Sequence, residues 1–97
     1  MKNKVYVVMD VRGKNLLPAK EFGEMEILLT GEETNEQVIT KLHEKLQSIS
    51  KKDFVLLIGH PLFIAMTAAV AFEYEDTINF LIWDREHYKY NVESIHI

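Results

Sequence analysis

The order of hydrophobic and polar residues along the chain predicts five β-strands. Four short apolar runs, rich in β-branched and aromatic residues, are typical of buried strands; they cover residues 5–9, 25–29, 54–58 and 78–83. Near the C-terminus Tyr88, Tyr90 and Val92 alternate with polar residues. That alternation predicts a half-exposed strand at the edge of a sheet.

Two helices are predicted between these strands. Thr34 and Gln37 have the spacing of a capping box, and apolar residues then recur every three or four positions from residue 38 to residue 49. A second helix covers residues 62–74 and begins after Pro61, which suits a first helical turn because its missing N–H would have no partner there. This helix is apolar on nearly every side, so it lies inside the domain or packs against a second subunit. The small size of the chain favours the second subunit, in a homodimer or a higher oligomer.

The predicted order β-β-α-β-α-β-β indicates a single small Rossmann-like α/β domain over residues 1–97. Helices between strands imply right-handed crossovers and a mainly parallel central sheet, and the last strand adds an antiparallel edge. Residues 11–23 form a long connection, and ordered connections of that length are often functional. Within it, Leu16 and Leu17 are expected to pack under the sheet.

Composition narrows the classes of function. The chain has 97 residues, 47% hydrophobic and 27% charged, as in an ordinary globular domain. It has no cysteine, which excludes disulfides, thiolate catalysis and cysteine-based zinc sites. A net charge of −4 argues against long nucleic acids as partners, although a small nucleotide held at a helix N-terminus needs no positive surplus. Without a signal peptide or an apolar run of about 18 residues, we expect a cytoplasmic protein with no membrane partner.

A candidate ligand site lies where the third predicted strand turns into the second helix, at Gly59, His60 and Pro61. In parallel sheets ligands bind beyond the carboxyl ends of the strands. The residues expected at that edge are Asp10, Arg12, Thr30, Gly31, Gly59 and His60. Glycine permits close approach of the backbone, and the helix N–H groups favour an anion. The alternative is structural: Gly59 only turns the chain and His60 only caps the helix.

Other chemistry finds little support in the sequence. The four histidines lack the spacing of metal ligands, and there is no phosphate-binding loop, dinucleotide fingerprint or serine-hydrolase motif. We therefore expect no metal and no cofactor. Asp84 and Arg85 either form a solvated hairpin turn or pair across a dimer interface. Tyr88 and Tyr90 either stack on a base or simply cover the sheet.

Several segments of the chain resemble known proteins. Residues 16–23 (LLPAKEFG), 55–61 (VLLIGHP) and 81–85 (LIWDR), with the alanine-rich helix between the last two and the tyrosine-containing strand at the end, carry the resemblance. Over most of its length the chain resembles short uncharacterised proteins of phages and mobile elements. Its second half also resembles small CRISPR-associated, ring-nuclease-like proteins that bind or cleave cyclic oligoadenylates.

The second resemblance implies a function. It implies a homodimer that binds a cyclic oligonucleotide across its two-fold axis, with His60, Asp84 and Arg85 as contact or cleavage residues. Such a protein acts as a sponge for a signalling nucleotide in phage or CRISPR-type defence. It could also act as a slow, metal-independent phosphodiesterase with His60 as general acid or base. The alternative is a non-enzymatic protein–protein interaction module of phage or mobile-element origin.

Overall fold

The computed structural model describes residues 3–97 and contains the predicted strands and helices in the predicted order. The strands are β1 (Lys4–Met9), β2 (Glu24–Leu29), β3 (Phe54–Leu56), β4 (Thr77–Asp84) and β5 (Lys89–His96). The helices are α1 (Asn35–Leu46) and α2 (Pro61–Tyr74), and a short 3₁₀ segment, Leu17–Phe22, lies in the connection between β1 and β2.

The five strands form one mixed sheet in the order β2-β1-β3-β4-β5. β1 pairs in parallel with β2 and β3, β3 pairs in parallel with β4, and β4 and β5 form an antiparallel pair. The predicted α/β fold class, with a mainly parallel sheet and an antiparallel C-terminal edge strand, is confirmed. From β2 the chain crosses the sheet in one direction, first to β3 and then to β4. Because both crossovers are right-handed and run in the same direction, α1 and α2 lie on the same face of the sheet.

Each face of the sheet carries its own core. On the helix face, Tyr6 and Val8 of β1 pack with Val38 and Leu42 of α1 and with Val70 of α2. The opposite face is covered by the 3₁₀ segment. There the buried residues are Val5, Val7, Ala19, Leu56, Leu81 and Tyr90, with Leu16 and Phe22 packed against them. The domain therefore has three layers: the two helices, the sheet and the 3₁₀ segment.

Helix α1 starts as the sequence predicts but ends earlier. Thr34 Oγ1 accepts a hydrogen bond from Gln37 N at 3.2 Å, and Gln37 Oε1 accepts one from Thr34 N at 2.9 Å, which completes the capping box. The helix ends at Leu46, three residues before the end of the predicted apolar stripe. Ile49 is still buried, because its N–H bonds to the Leu46 carbonyl and turns the side chain back into the core.

Three local predictions are wrong. β3 ends at Leu56 and not at residue 58, because the N–H of Ile58 bonds back to the Leu56 carbonyl at 3.1 Å. Tyr88 belongs to the β4–β5 turn, with a φ of +51°, and not to the edge strand. Leu17 is 63% exposed, because it opens the 3₁₀ segment and neighbouring residues of a helical turn point in different directions.

Most of the apolar surface of α2 is covered within the domain. Phe63, Thr67, Val70 and Ala71 are buried, whereas the exposed apolar and aromatic residues are Pro61, Leu62, Ala65, Ala69 and Tyr74. Packing of this helix against a second subunit stays a prediction. Within residues 3–97, no helix is long and apolar enough to cross a membrane.

The two edges of the sheet differ. At the β2 edge, the ammonium group of Lys45 donates hydrogen bonds to the carbonyls of Ile27 at 3.1 Å and Leu28 at 3.2 Å. β2 also carries the acidic residues Glu24 and Glu26. β5 pairs with β4 over all eight of its residues, and no other strand among residues 3–97 adjoins it.

Candidate functional site

The carboxyl ends of β1 and β3, where the strand order reverses, are the usual ligand crevice of such a sheet. Here the side chain of Met9 occupies the space next to Gly31 and Gly59. A methyl group on Gly59 would overlap Met9 Cγ, and one on Gly31 would lie 2.6 Å from Met9 Cε. The space that the missing side chains of Gly31 and Gly59 leave beside the backbone is therefore filled by Met9, a residue of the same chain.

His60 is the N-cap of α2. Its Nδ1 accepts a hydrogen bond from Leu62 N at 3.1 Å, and its own N–H points to Met9 Sδ at 3.4 Å. Pro61 follows as the first helical residue. This geometry matches the capping role, and a ligand role for Gly59, His60 and Pro61 stays a prediction.

Thr30 and Gly31 lie at the carboxyl end of β2, and their N–H groups already bind a carboxylate. Glu33 accepts hydrogen bonds from Thr30 N at 2.8 Å and Gly31 N at 2.9 Å, and Lys41 Nζ lies 2.7 Å from the same carboxylate. Burial alone would raise the pKa of Glu33. The hydrogen bonds from Lys41, Thr30 and Gly31 outweigh it and hold the pKa well below its ordinary value. An internal anion thus fills the position that the sequence suggested for a ligand.

Asp84 organises the turn between β4 and β5. Its carboxylate accepts hydrogen bonds from Glu86 N at 2.9 Å, His87 N at 3.2 Å, His87 Nδ1 at 2.8 Å and Asn91 Nδ2 at 3.2 Å. The bond from the His87 ring is the main cause that lowers the pKa of Asp84 to about 2. The side chain is fully engaged in holding the turn.

We expect the turn to loosen in acid. Since the pKa of Asp84 in the folded protein lies below its ordinary value of 3.8, its carboxylate stabilises the turn above about pH 4, and this contribution disappears as the pH falls towards 2. In an NMR titration the amide protons of Glu86 and His87 should shift with a midpoint of about 2. In the Asp84→Ala variant these shifts should vanish. A midpoint close to the ordinary value in the parent protein would contradict the hydrogen-bonded turn.

A tight turn over residues 11–14 follows β1; Asp10 precedes it and Arg12 is its second residue. The turn is closed by a hydrogen bond from Lys14 N to the Val11 carbonyl at 3.1 Å, and Gly13 has the positive φ, +86°, that the third residue of a type II turn requires. Both Asp10 and Arg12 are exposed. The turn directs the chain towards a cleft on the face opposite the helices.

That cleft has a volume of about 540 Å³ and lies beside the carboxyl ends of β3 and β4. Its lining residues are Gly13, Lys14, Asn15, Leu56, Leu57, Ile58, Ile82, Trp83, Arg85 and Tyr90. The cleft exists because β3 is short. The parallel register of β3 with β4 ends at the pair Leu56 and Leu81, so Ile82 and Trp83 extend beyond their neighbour.

Two aromatic rings form one wall of the cleft. Trp83 and Tyr90 are cross-strand neighbours, their ring centroids lie 5.0 Å apart, and their planes meet at 65° in an edge-to-face arrangement. Tyr90 is 8% exposed and its burial raises the pKa of its phenol, so the hydroxyl stays protonated at neutral pH. Trp83 is 38% exposed, which leaves part of its indole open to the cleft.

Two cations complete the cleft. Lys14 and Arg85 are exposed, and neither belongs to the ion pairs formed within residues 3–97. Asn15 holds the loop in place, because its side-chain oxygen accepts a hydrogen bond from Leu17 N at 3.0 Å. The cleft therefore combines unpaired positive charge with an exposed indole.

Comparison with known proteins gives one match. The model of a family described as phage Pam3 gp32-like protein matches residues 3–97. The chain belongs to this family. The resemblance to phage proteins is confirmed, whereas no comparison supports the resemblance to ring-nuclease-like proteins. No curated protein and no solved structure matches the chain.

In this phage Pam3 gp32-like chain, the predicted site residues separate into groups. Thr30 and Gly31 bind Glu33, Gly59 and His60 contact Met9, and Asp84 holds a turn. Of the candidate residues named from the sequence, Arg85 and Tyr90 line the cleft. Sequence reasoning missed Lys14, Asn15 and Trp83. The signal available for Trp83 was its position near the end of β4, two residues before Arg85.

Proposed function

We propose that this protein binds a nucleotide in the cleft, and that a cyclic oligonucleotide signal is the ligand class to test first. The observation that carries the proposal is the half-open indole of Trp83 in the same cleft as Lys14 and Arg85. A planar base would stack on the indole, and phosphate oxygens would meet the two cations.

The physical requirements of such a ligand fit the cleft. Stacking of a base on an aromatic side chain contributes about 1–3 kcal/mol, and a guanidinium binds phosphate through paired hydrogen bonds. A volume of about 540 Å³ falls in the usual range for small-molecule sites. The net charge of −4 opposes the binding of long polyanions. Lys14 and Arg85 place positive charge only at the cleft, which favours a short anionic ligand.

The lining residues support binding without cleavage. They include no histidine and no carboxylate, and His60 is engaged at the N-terminus of α2 outside the lining set. The raised pKa of Tyr90 makes its phenol a poor general base. We therefore propose that the protein sequesters its ligand as a sponge.

Trp83 is the only tryptophan of the chain, so its fluorescence reports directly on the cleft. Titration with cyclic di-, tri- and tetranucleotides should quench it in a saturable way, whereas pyrophosphate, which lacks a base, should quench it weakly. Calorimetry on the Trp83→Ala variant should show an affinity reduced by about 10- to 100-fold. Ligand mass after incubation should be unchanged if the protein only sequesters.

A matched pair of arginine variants tests the position of the site. Arg85→Ala should weaken binding by about tenfold and reduce its salt dependence. Arg12 is also exposed but lies outside the lining set, so Arg12→Ala should leave the affinity unchanged. Equal effects of the two variants would contradict this cleft. Absence of heat and of quenching with every nucleotide at about 1 mM, a concentration at which even weak ligands bind, would leave the interaction-module alternative.

A further inference from the structure

The outer edge of β5 is open to pairing with another strand. We propose that two copies of the chain associate by antiparallel pairing of their β5 strands, in the register that places Asn91 opposite Asn91 of the second copy. The result would be one continuous sheet across a two-fold axis. This proposal does not depend on the ligand of the cleft.

β5 lacks the features that usually protect a sheet edge. It is a regular strand of eight residues, paired with β4 without a bulge, and it contains no proline and a single lysine, Lys89. The β2 edge is different, because Lys45 binds the carbonyls of Ile27 and Leu28, one of which faces outwards, and Glu24 places negative charge beside the Lys4–Glu26 ion pair. An exposed strand without such protection is a template for a second strand.

A two-fold axis perpendicular to the sheet places the helix faces of both copies on the same side of the joined sheet. Residues opposite each other across the axis must then lie on the same face, and residues of one strand share a face when they are two positions apart. With the axis at Asn91, Lys89 of each copy lies opposite Glu93 of the second copy, and Tyr90 lies opposite Val92. Both ion pairs form at once, and neither Lys89 nor Glu93 belongs to an ion pair within residues 3–97. Opposite charges and aromatic–aliphatic pairs are favourable cross-strand neighbours.

The neighbouring registers are less favourable. With the axis at Glu93, that carboxylate would face its own copy, and like charges directly opposite destabilise a sheet. With the axis at Val92, Lys89 would lie opposite Ile95 and no ion pair would form. Among the registers centred on Asn91, Val92 and Glu93, charge complementarity therefore favours the one centred on Asn91.

Single-cysteine variants test the register, because the chain has no cysteine of its own. Asn91→Cys should form a disulfide-linked dimer on mild oxidation, since directly opposed residues have the separation that a disulfide needs. Lys89→Cys and Glu93→Cys should not cross-link alone but should cross-link when mixed. Self-cross-linking of Val92→Cys in place of Asn91→Cys would overturn the proposed register. Thermal unfolding of each reduced variant checks that it is folded.

Charge reversal tests the interface without cysteines. By light scattering or sedimentation at micromolar concentration the parent chain should be dimeric. Lys89→Glu and Glu93→Lys should each weaken the dimer by about five- to tenfold, and the double variant should restore it. Leu62→Asp, on the exposed side of α2, should leave the dimer unchanged. A monomeric parent chain, a double variant that stays monomeric, or a dimer lost through Leu62→Asp would overturn the proposal.

Discussion

Replacement of Gly59 by alanine is expected to lower the free energy of unfolding by about 3 kcal/mol or more, a large share of the stability of a small domain. Two penalties act together. The φ of +122° is a conformation that residues with a Cβ rarely adopt, and the new methyl group would overlap Met9 Cγ and lie 2.5 Å from Met9 Sδ. Urea or thermal unfolding measures the loss.

Gly13 provides the matched control for this substitution. It also has a positive φ, +86°, but nothing lies within 4 Å of where its Cβ would be, so Gly13→Ala should cost only about 1 kcal/mol. Combining Gly59→Ala with Met9→Ala removes the obstructing Cγ and Sδ atoms. The double variant should be more stable than the sum of the single effects predicts, by about 1 kcal/mol or more. Strict additivity would show that Met9 is not the obstacle.

Removal of the Glu33 carboxylate is expected to have a similarly large effect. The Glu33 side chain is 4% exposed and binds Thr30 N, Gly31 N and Lys41 Nζ. Glu33→Ala would leave these donors without their acceptor, at a cost of about 3 kcal/mol. The neighbouring exposed residue offers the control, because Glu32→Ala removes a carboxylate that accepts none of these bonds.

Acid and added carboxylates give two further measurements on Glu33. Its pKa is lowered in the folded protein, so its carboxylate contributes stability above the ordinary value of 4.5, and the contribution fades as the pH falls below it. The stability of Glu33→Ala should therefore depend less on pH in that range. Formate should raise the melting temperature of Glu33→Ala more than that of the parent chain, because it restores an anion to the vacated donors. Equal shifts in both proteins would contradict the internal-anion interpretation.

Much of the fold could be predicted from local patterns. The capping box at Thr34 and Gln37 located the start of α1, and Pro61 located the start of α2, because both residues act on the first helical turn itself. The apolar runs predicted the strands because burial on both faces requires them. Strand ends were less certain, since the shortening of β3 depends on a backbone bond from Ile58 to Leu56 that periodicity does not reveal.

The site was harder to predict because it depends on which strands are neighbours. Parallel pairing does place Thr30 and Gly59 at the same edge of the sheet, as expected. The order β2-β1-β3 nevertheless separates them by β1, where Met9 lies between the two turns. The cleft arises because β3 is shorter than β4. Such a difference between two strands cannot be predicted from the sequence of either strand alone. The sequence therefore predicts Trp83 to be a buried strand residue, although it is 38% exposed.

The ammonium group of Lys45 has a consequence for the size of any assembly. A sheet with two equally open edges can add copies at both ends and grow into a fibre. Here Lys45 already binds the carbonyls of Ile27 and Leu28 at one edge. Growth through β5 is therefore expected to stop at two copies, because each outer edge of the dimer would be a β2 strand that already has a carbonyl bound to Lys45.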